Sequence, residues 1–407
     1  MKGLIACLAV ITPLLAQAHW DSAYYHESSS PKTTVPVQWM KKLLDTQPIF
    51  QVSIPGTHDS ASRYGGWYVE TQTLDIPQQL NAGIRFLDIR LRSIGGSLAV
   101  HHGSVYQQMM FGTVLNQVKS FLQANPTEFV MMRVKEDYGS DPKFADVVNV
   151  YLNAPQYSSY IWRGRPQPKV GDVRGKIVIL KDYSEPSVIA STGSGFSPTA
   201  PSQPEVGVRY DGLVIQDDWK VATNGDLYGK WEKIRAHLDL AQQGKTQNIL
   251  NWLSGADIAF PYFVASGHSS PETSAPRLAT GYTTPGWSWK WKDFPRVNCL
   301  GQLCTIAFEG TNTLTRDYIN KLRAQGGLDV EAVSAKRGPD GNVCVVAGLP
   351  NKYYVGIVAA DFPGPGLIEA IVNANRFYEY AACSVSEQAS PASGGSDWSA
   401  SAMRRRF

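Results

Sequence analysis

The chain has 407 residues, 43% of them hydrophobic, and a formal net charge of +3 at pH 7. This length and apolar content are sufficient for one large folded domain or for two ordinary ones. The nearly neutral charge argues against a nucleic-acid-binding protein, which requires a dense basic surface, so we expect no nucleic-acid partner.

The N-terminus is typical of a secretory signal peptide. Lys2 is followed by an apolar run at residues 3–15 and by the small-residue sequence Ala-Gln-Ala at positions 16–18. The apolar run is too short to cross a bilayer, and no later segment offers about twenty consecutive apolar residues. We therefore predict a signal peptide at residues 1–18 and a secreted, extracellular, soluble protein, which we expect to be a monomer.

The remaining chain divides into three parts by composition. Residues 19–36 are polar and predict a loose N-terminal arm, and residues 37–383 predict one folded domain. Residues 384–407 are poor in apolar side chains, which is typical of a disordered tail.

Four cysteines follow the signal peptide: Cys299, Cys304, Cys344 and Cys383. An even number in an exported chain indicates two disulfides, for which three pairings exist. We favour Cys299–Cys304 and Cys344–Cys383, because the first two residues are close in sequence.

Eight apolar segments have the length and composition of β-strands. In chain order they are residues 50–54, 84–90, 98–102, 128–135, 176–180, 213–216, 258–264 and 354–360. Helical patterns separate several of them, as at residues 112–125 and 227–243. This alternation predicts an α/β protein, a single (β/α)8 TIM-type barrel with long loop insertions at residues 184–211 and 265–298. An open doubly wound sheet is the alternative, but no glycine-rich dinucleotide motif follows any strand.

Ionisable side chains lie at the predicted C-terminal strand ends, where barrels of this type place their active groups. They are His58, Asp59, Asp88, Arg90, His101, His102, Lys135, Glu136, Lys181, Asp182, Asp217, Asp218 and Asp361. Asp88 and Arg90 are two residues apart, so both project to one side of their strand. His101 and His102 are adjacent, so only one of them can enter the barrel mouth, and the spacing does not decide which.

Two histidines with an arginine and several carboxylates suit the cleavage of a phosphodiester. A neutral imidazole can take a proton from an attacking hydroxyl, and a protonated imidazole can give one to the leaving alkoxide. Each such group contributes about 10²–10⁴-fold to the rate. An arginine can bind the non-bridging phosphate oxygens, and a carboxylate can fix the tautomer of each histidine.

A set of motifs resembles the bacterial-type phosphatidylinositol-specific phospholipases C, which are phosphodiesterases with an X domain. In chain order the motifs read SIPGTHDS, AGIRFLDIRLR, LAVHHGSVYQ, NPTEFVMMRVKED, GKIVILKDYS, LVIQDDWK and VAADFPGPG. The resemblance runs from about residue 37 to residue 377. It implies a distorted (β/α)8 barrel and a reaction in which the inositol 2-hydroxyl attacks phosphorus, releasing diacylglycerol and inositol 1,2-cyclic phosphate.

The resemblance also implies roles for individual residues. His58 is similar to the family's general base, with Asp361 as its orienting partner, and His102 is similar to the general acid, paired with Asp59. Arg90 matches the position of a phosphate-binding cation. The implied substrate-binding residues are Asp88, Lys135, Lys181, Asp217 and Trp219.

Two of these positions depart from the family's pattern, and both concern the headgroup rather than the chemistry. Lys181 stands where an arginine is expected, and Trp219 stands where a tyrosine is usual. Calcium-dependent relatives place carboxylates where this chain has Arg90 and Lys135. Two fixed cations there would repel a divalent ion, so we expect no metal and no other cofactor.

The segment GWSWKWKDF at residues 286–294 carries Trp287, Trp289 and Trp291 at alternating positions. Indole rings favour the membrane interface, so these side chains are candidates for peripheral contact with a vesicle or membrane surface. The alternative is that they cover the loops of the barrel itself, and the sequence does not separate the two interpretations.

The leading hypothesis is a secreted, metal-independent phosphodiesterase acting on phosphatidylinositol or on glycosylphosphatidylinositol. Two alternatives belong to other classes. A catalytically silent lipid- or sugar-binding barrel is disfavoured because the whole implied catalytic set is present: His58, Asp59, Arg90, His102 and Asp361. A metal-dependent glycerophosphodiester phosphodiesterase requires clustered carboxylate ligands, which Arg90 disfavours.

Overall fold

A computed structural model of the chain describes most of the residues between 22 and 380. The described residues are 22–164, 168–183, 195–196, 208–210, 213–242, 249–257, 260–271, 282–325, 334–337, 343–348, 354–375 and 378–380. The predicted signal peptide at residues 1–18 and the predicted tail at residues 384–407 lie outside them.

The described residues form strands and helices in alternation. The strands are β1 (Ile54–Thr57), β2 (Phe86–Ile94), β3 (Ser97–His102), β4 (Val105–Met110), β5 (Val130–Glu136), β6 (Ile177–Asp182), β7 (Gly195–Phe196), β8 (Val208–Tyr210), β9 (Leu213–Gln216), β10 (Ile249–Trp252), β11 (Thr283–Trp287), β12 (Arg296–Leu300), β13 (Leu303–Ala307), β14 (Ser334–Arg337), β15 (Val343–Gly348), β16 (Ile357–Ala360) and β17 (Tyr378–Tyr380). The helices are α1 (Ile76–Asn81), α2 (Phe111–Ala124), α3 (Phe144–Asn153), α4 (Pro155–Ser158), α5 (Val170–Val173), α6 (Leu227–Gln242), α7 (Pro261–Ser266), α8 (Thr311–Gln325) and α9 (Pro365–Val372). Short 3-10 helices occupy Trp39–Lys42, Ile49–Gln51 and Asn224–Asp226.

The central sheet is the wall of a distorted α/β barrel. Its parallel strands follow the order β6-β5-β2-β1-β16-β10-β9. In this sheet the first strand along the chain, β1, is therefore the neighbour of the last one, β16. Such strands are buried on both faces, and β1, β10 and β16 are buried at every position. β7 continues the sheet beyond β6 and β8 continues it beyond β9, and among the described residues no pairing joins β7 to β8.

The predicted strand at residues 98–102 exists, but it is not a barrel strand. β3 pairs antiparallel with β2, and Gly95 and Gly96 form the two-residue turn between them with φ angles of +56° and +77°. Two glycines with positive φ are typical of a tight hairpin, and two residues cannot make a parallel crossover. β4 extends this hairpin, so His102 reaches the site on an antiparallel ribbon.

The predicted strand at residues 258–264 is wrong. Residues 261–266 form helix α7, which begins with Pro261 at its first turn and ends at Gly267 in the left-handed conformation. A proline at the start and a glycine just after the end are helix boundary signals. The strand that pairs with β16 at this point of the barrel is β10, which the sequence analysis missed.

The predicted N-terminal arm packs on the domain rather than lying loose. Tyr24 forms a bridge with Pro363, and the backbone nitrogen of Tyr25 donates to the carbonyl of Phe362 at 3.0 Å. The side chain of Ala23 is fully buried. Residues 22–25 are therefore part of the folded unit beside the end of β16.

A small antiparallel sheet, β11-β13-β12, lies between α7 and α8 and begins within the predicted loop at residues 265–298. The predicted disulfide Cys299–Cys304 is confirmed, and it closes the tip of the β12–β13 hairpin. Cys344 lies in β15 and Cys383 falls outside the described residues, so the second predicted pair stays a prediction.

Candidate active site

Neighbouring parallel strands bring four charged side chains to one side of the sheet. Asp88 on β2 is paired in register with Arg133 on β5, and Arg90 is paired with Lys135. Side chains directly opposite each other in a sheet share a face. Because Ile89 and the residue after Arg90 alternate to the other face and are fully buried, the charged row faces the barrel interior.

His58 follows β1 and is held at both ring nitrogens. Its Nδ1 atom lies 2.8 Å from Oδ1 of Asp361, which follows β16. Its Nε2 atom lies 2.5 Å from a terminal guanidinium nitrogen of Arg90. A guanidinium only donates, so the neutral ring carries its proton on Nδ1 and presents a lone pair at Nε2. His58 is therefore in the tautomer of a base that accepts a proton at Nε2.

His102, at the end of β3, contacts the described residues through one ring nitrogen, Nδ1. Its Nδ1 atom lies 2.7 Å from the carbonyl oxygen of Val69, 3.0 Å from Oγ of Ser62 and 3.3 Å from Oδ2 of Asp59. A carbonyl only accepts, so Nδ1 carries a proton that it donates to Val69. Nε2 is then the nitrogen at which His102 gains and loses a proton.

Arg90 lies between the two histidine assemblies. Its Nε atom is 3.2 Å from Oδ2 of Asp88 and 3.6 Å from Oδ2 of Asp59, and a terminal nitrogen is 3.7 Å from Oδ1 of Asp137. Together with the bond to His58, these contacts fix the guanidinium plane. Burial alone would lower the pKa of Arg90, but Asp88 and Asp59 raise it, so the group is a permanent cation.

Asp59 is held in place by its backbone. Its φ angle is +39°, a left-handed conformation that aspartate tolerates better than most residues. Its backbone nitrogen donates to Oδ2 of Asp88 at 3.0 Å, and Oγ1 of Thr71 donates to its carbonyl at 3.0 Å. These contacts aim the buried carboxylate at His102 and Arg90.

Both histidines are easier to deprotonate than a free imidazole. Burial and then the positive charge of Arg90 lower the pKa of His58 well below its usual value of 6.5. Burial and Arg90 also lower the pKa of His102. A neutral His58 suits a base at neutral pH, whereas His102 needs a nearby negative charge to become an acid.

The partner carboxyls experience the opposite effect. Burial raises the pKa of Asp59 and of Asp361 well above the usual value, and Arg90 opposes that rise at both. At Asp88, burial also favours the neutral form, but Arg133 and Arg90 together hold the pKa well below its usual range. Asp88 is thus an ionised support between two arginines rather than a group that moves a proton.

Three side chains of the cluster were missed by the sequence analysis. Arg133 forms ion pairs with Asp88, at 2.9 Å, and with Asp182. Trp252 packs edge-on against His58, with ring centroids 5.6 Å apart, and lies under the Arg133 guanidinium. Asp137 contacts Arg90, as described above. The alternation along β5 could have indicated Arg133, because it lies two residues before Lys135 and so shares its face of the strand.

The predicted substrate-binding residues divide into two groups. Lys135 is 3.7 Å from Asp137 and lies beside Arg90, whose charge lowers the pKa of Lys135. Asp217 is half-buried and its charge acts on Arg90. Trp219 follows the end of β9 and is 45% exposed. Lys135, Asp217 and the supporting Asp88 lie within electrostatic reach of Arg90.

Lys181 is not brought together with them. On β6, Asp182 pairs in register with Lys135 and contacts Arg133, so it faces the barrel interior. Lys181 precedes it and points to the opposite face, where it is 5% exposed. The inward side chain at this strand end is therefore the aspartate.

The three tryptophans of residues 286–294 also separate. Trp287 and Trp289 are 51% and 58% exposed. Trp291 packs against Tyr228 and Phe294, with ring centroids 5.5 and 5.6 Å apart. Trp291 thus packs on the domain itself, as the alternative interpretation required, and the other two tryptophans face solvent.

In the part of the chain that the structure describes, no group of three or more His, Cys, Asp or Glu side chains is placed to hold a metal ion. Where carboxylates converge, at Asp59, Asp88 and Asp137, the position between them is taken by the guanidinium of Arg90. The arrangement suits the binding of an anion, with the Arg90 guanidinium as the fixed cation.

Comparison with known proteins decides the family. Residues 46–183 match the family described as "Phosphatidylinositol-specific phospholipase C, X domain". The "1-phosphatidylinositol phosphodiesterase" of Staphylococcus aureus is 30% identical over 312 residues, which cover 70% of this chain and 92% of that protein. The chain belongs to the phosphatidylinositol-specific phospholipase C family.

Other members of the phosphatidylinositol-specific phospholipase C family agree. The protein of the same name from Listeria monocytogenes is 32% identical over 237 residues, covering 55% of this chain and 69% of that one. The solved structure of phosphatidylinositol-specific phospholipase C from Listeria monocytogenes superimposes with a TM-score of 0.58 at 25% identity, covering 85% of this chain and all of that chain. The predicted barrel is confirmed by this likeness. His58, Arg90 and His102 all fall within the matched X domain.

Proposed function

We propose that the protein cleaves phosphatidylinositol, as a phosphorus–oxygen lyase of the phospholipase C type, by acid–base catalysis between His58 and His102. The observation that carries the proposal is the arrangement around Arg90. That guanidinium contacts His58 directly and lies 3.6 Å from Asp59, the carboxylate beside His102. An anion bound by Arg90 would have one imidazole on each side.

In the first half of the reaction His58 acts as the base. Its Nε2 lone pair takes the proton of the inositol 2-hydroxyl as that oxygen attacks phosphorus. Nδ1 stays bonded to Asp361, which stabilises the imidazolium that forms. The buried Trp252 ring against His58 limits its motion and excludes water from one side.

In the second half His102 acts as the acid. It donates its Nε2 proton to the glycerol oxygen as the phosphorus–oxygen bond breaks, releasing diacylglycerol and leaving inositol 1,2-cyclic phosphate. The anionic phosphate raises the pKa of His102 on binding, which restores the proton that burial and Arg90 disfavour in the free enzyme.

Arg90 takes the part that a divalent cation plays in metal-dependent phosphodiesterases. Its donors bind the non-bridging phosphate oxygens, whose negative charge grows in the transition state. The contacts to Asp88, Asp59 and Asp137 hold it ready, so little reorganisation is needed. We therefore propose a metal-independent reaction without any cofactor.

The inositol ring is proposed to lie between the charged row and the rim. Lys135 and Asp217 offer a donor and an acceptor for the ring hydroxyls, and the exposed Trp219 offers a flat apolar surface to the ring face. Asp88 holds Arg90 in place through an ion pair. Phosphatidylinositol and glycosylphosphatidylinositol share this headgroup, and the same site accommodates either.

The exposed face of the small sheet is the proposed membrane contact. Trp287 on β11 is directly opposite Leu303 on β13, which is paired with Leu300 on β12, so the three side chains form one row. They are 51%, 43% and 84% exposed. An apolar row beside Lys290 and the exposed Trp289 fits the interface of an anionic bilayer.

Export is proposed on two grounds. Residues 1–18 have the composition of a signal peptide, and the Cys299–Cys304 disulfide is of the kind that persists in an oxidising environment. No helix among the described residues has both the length and the apolar character that crossing a bilayer requires.

The test uses the purified protein with phosphatidylinositol vesicles and a chelator, followed by phosphorus NMR. The proposal expects inositol 1,2-cyclic phosphate to form at the same rate with and without chelator. Loss of product with chelator would indicate a metal-dependent phosphodiesterase. Vesicle binding without any product would indicate a catalytically silent lipid-binding barrel.

A further inference from the structure

An aspartate at the end of β6 faces the site and takes no part in the acid–base chemistry. Asp182 is directly opposite Lys135 on β5, and Lys135 is directly opposite Arg90 on β2. Residues in register on neighbouring strands share a face of the sheet. Arg90, Lys135 and Asp182 therefore form one line across three strands on the inner face of the barrel. The aspartate is at the end of this line that is farthest from the proposed phosphate position.

Arg133 fixes the position of this aspartate. It lies two residues before Lys135 on β5 and so shares its face of the strand. Its Nε atom donates to Oδ2 of Asp182 at 3.0 Å, and a terminal nitrogen contacts the same oxygen. The other terminal nitrogen donates to Oδ1 of Asp88 at 2.9 Å, and the guanidinium carbon is 5.0 Å from the centre of the Trp252 ring. The guanidinium is thus held on three sides, and it holds one oxygen of the aspartate.

The second carboxylate oxygen of Asp182 is open to a ligand. Both contacts of Arg133 go to Oδ2, and among the described residues Oδ1 has no hydrogen bond. The side chain of Asp182 is 15% exposed, whereas that of Asp88, the other partner of Arg133, is 0% exposed. Asp182 therefore offers one fixed acceptor to a molecule bound in the barrel, and Asp88 does not.

The length of this line suits a phosphorylated six-membered ring. Neighbouring strands lie about 4.8 Å apart, so roughly 10 Å of sheet separates the strand of Arg90 from that of Asp182. On the β1 side of Arg90 the space is taken by His58 and by the Trp252 ring that packs against it. With the phosphate on Arg90, the inositol ring therefore extends over β5 towards β6. The hydroxyl at ring position 4 lies across the ring from the phosphate at position 1, so it reaches farthest along the line.

We propose that Asp182 is a specificity-determining residue for the headgroup. Its open oxygen accepts a hydrogen bond from the hydroxyl at ring position 4, and its charge repels a headgroup that carries a phosphate there. A carboxylate binds a hydroxyl through a short, charge-assisted hydrogen bond, whereas a second anion at the same place is a repulsive contact that rejects the wrong substrate. The inference rests on the proposed function, because it takes the scissile phosphate to lie on Arg90.

Removal of this charge should convert a position that repels phosphate into one that binds it. In Asp182→Asn the guanidinium of Arg133 loses its carboxylate partner on β6 and keeps the one on β2, Asp88. Lys135 is directly opposite the substituted residue. Two cations then face a phosphate at ring position 4. Asparagine has the shape of aspartate and keeps an acceptor oxygen, so the bond to an unmodified hydroxyl is weakened rather than lost.

The experiment measures kcat and KM on short-chain phosphatidylinositol and on short-chain phosphatidylinositol 4-phosphate, each below its micelle concentration. The wild type should prefer the first substrate. In Asp182→Asn we expect KM for phosphatidylinositol to rise about three- to tenfold with kcat nearly unchanged, because the contact is equally strong in the ground state and the transition state. The ratio of the two kcat/KM values should fall by about tenfold or more in Asp182→Asn and in Asp182→Ala. A merely structural role would lower kcat on both substrates and leave this ratio unchanged.

Glu136→Gln is the matched control, because it removes one carboxylate at the same edge of the sheet. Glu136 follows Lys135 and is directly opposite the buried Leu91, so it lies on the other face. Its Oε1 atom accepts from the backbone nitrogen of Asp141 at 2.7 Å, and glutamine keeps that acceptor. Its substrate ratio should equal that of the wild type.

Three results would overturn the proposal: equal cleavage of both substrates by the wild type, an unchanged ratio in both Asp182 variants, or failure of both variants to fold. The last would assign Asp182 to stability alone. A wild-type protein that cleaves neither substrate would instead overturn the proposed function.

Discussion

His58 and Arg90 are in direct contact, with Nε2 of the imidazole 2.5 Å from a guanidinium nitrogen. The contact requires a lone pair on Nε2, so it fits the neutral ring that carries its proton on Nδ1. It also places a permanent cation against the ring. Burial is the largest cause of the lowered pKa of His58, and the charge of Arg90 is the next. Arg90, the proposed phosphate-binding residue, thus also favours the neutral form of His58, the proposed base.

The first prediction concerns the acidic limb of kcat/KM. Because a lowered pKa means that His58 loses its proton below the usual value of 6.5, activity should persist below pH 6.5 and decline only at more acidic pH. The measurement is a pH profile on a soluble substrate. A limb centred above pH 6.5 would show that the base is not His58 in this environment.

The second prediction concerns Asp361. In Asp361→Asn, the side-chain amide can donate to Nδ1 of His58 and stabilise the wrong tautomer, with the proton on Nε2. We expect kcat to decrease by about 10²–10⁴-fold while the protein stays folded, because asparagine is isosteric with aspartate. Thermal unfolding provides the folding check. A loss of less than tenfold would indicate that Asp361 only packs against the ring.

The third prediction separates the shape of Arg90 from its charge. Arg90→Lys keeps the cation but loses the planar set of donors, so it should reduce kcat by about 10²–10³-fold. Arg92→Lys is a suitable control, because Arg92 lies on the same strand and stacks on Tyr138 instead. Activity close to wild type in Arg90→Lys would mean that a point charge suffices and that the guanidinium does not bind phosphate through paired donors.

The fourth prediction compares the basic limbs of kcat and kcat/KM. Burial and Arg90 lower the pKa of His102 in the free enzyme, and kcat/KM reports the free enzyme. A bound phosphate anion raises the pKa of His102, and kcat reports that complex. The basic limb of kcat should therefore lie at higher pH than that of kcat/KM. Coincident limbs would contradict the role of His102 as the acid.

The fifth prediction concerns the proposed membrane contact. Replacing Trp287 and Trp289 together by alanine should weaken binding to phosphatidylinositol vesicles by about tenfold or more while sparing a soluble substrate, because both indoles are exposed. Trp291→Ala should instead lower the melting temperature, since that ring packs against Tyr228. Vesicle co-sedimentation and thermal unfolding measure the two effects. Unchanged sedimentation of the double variant would reject the contact surface.

The sequence predicted the barrel because buried parallel strands are continuous apolar runs, and β5, β6 and β9 were located within two residues. It failed where a strand and a helix have similar composition. Residues 261–266 are apolar, and the helix boundary signals of Pro261 and Gly267 decide their conformation. It also failed at β3, where Gly95 and Gly96 make a hairpin turn and exclude a parallel crossover.

The sequence placed the proposed catalytic set more accurately than its surroundings. His58, Asp59, Arg90, His102 and Asp361 lie together because each follows or occupies a strand whose end was recognisable. Trp252 was not assigned because its strand, β10, was not predicted. The contacts of Arg133 with Asp88 and Asp182 depend on the register of β5 with its two neighbours. Lys181 was assigned to the site because its strand end was known, but the side of the strand depends on register, which places Asp182 inside instead.

The central claim is that His58 and His102 act as base and acid on opposite sides of one phosphate, and leaving-group dependence tests it most directly. The rates of wild type, His58→Ala and His102→Ala are compared on inositol phosphodiesters with an alcohol or with a nitrophenol as the leaving group. Nitrophenolate needs no proton, so His102→Ala should recover most of its lost activity on that substrate, whereas His58→Ala should stay impaired on both. Equal losses for His102→Ala on both substrates, or recovery of His58→Ala, would contradict this assignment.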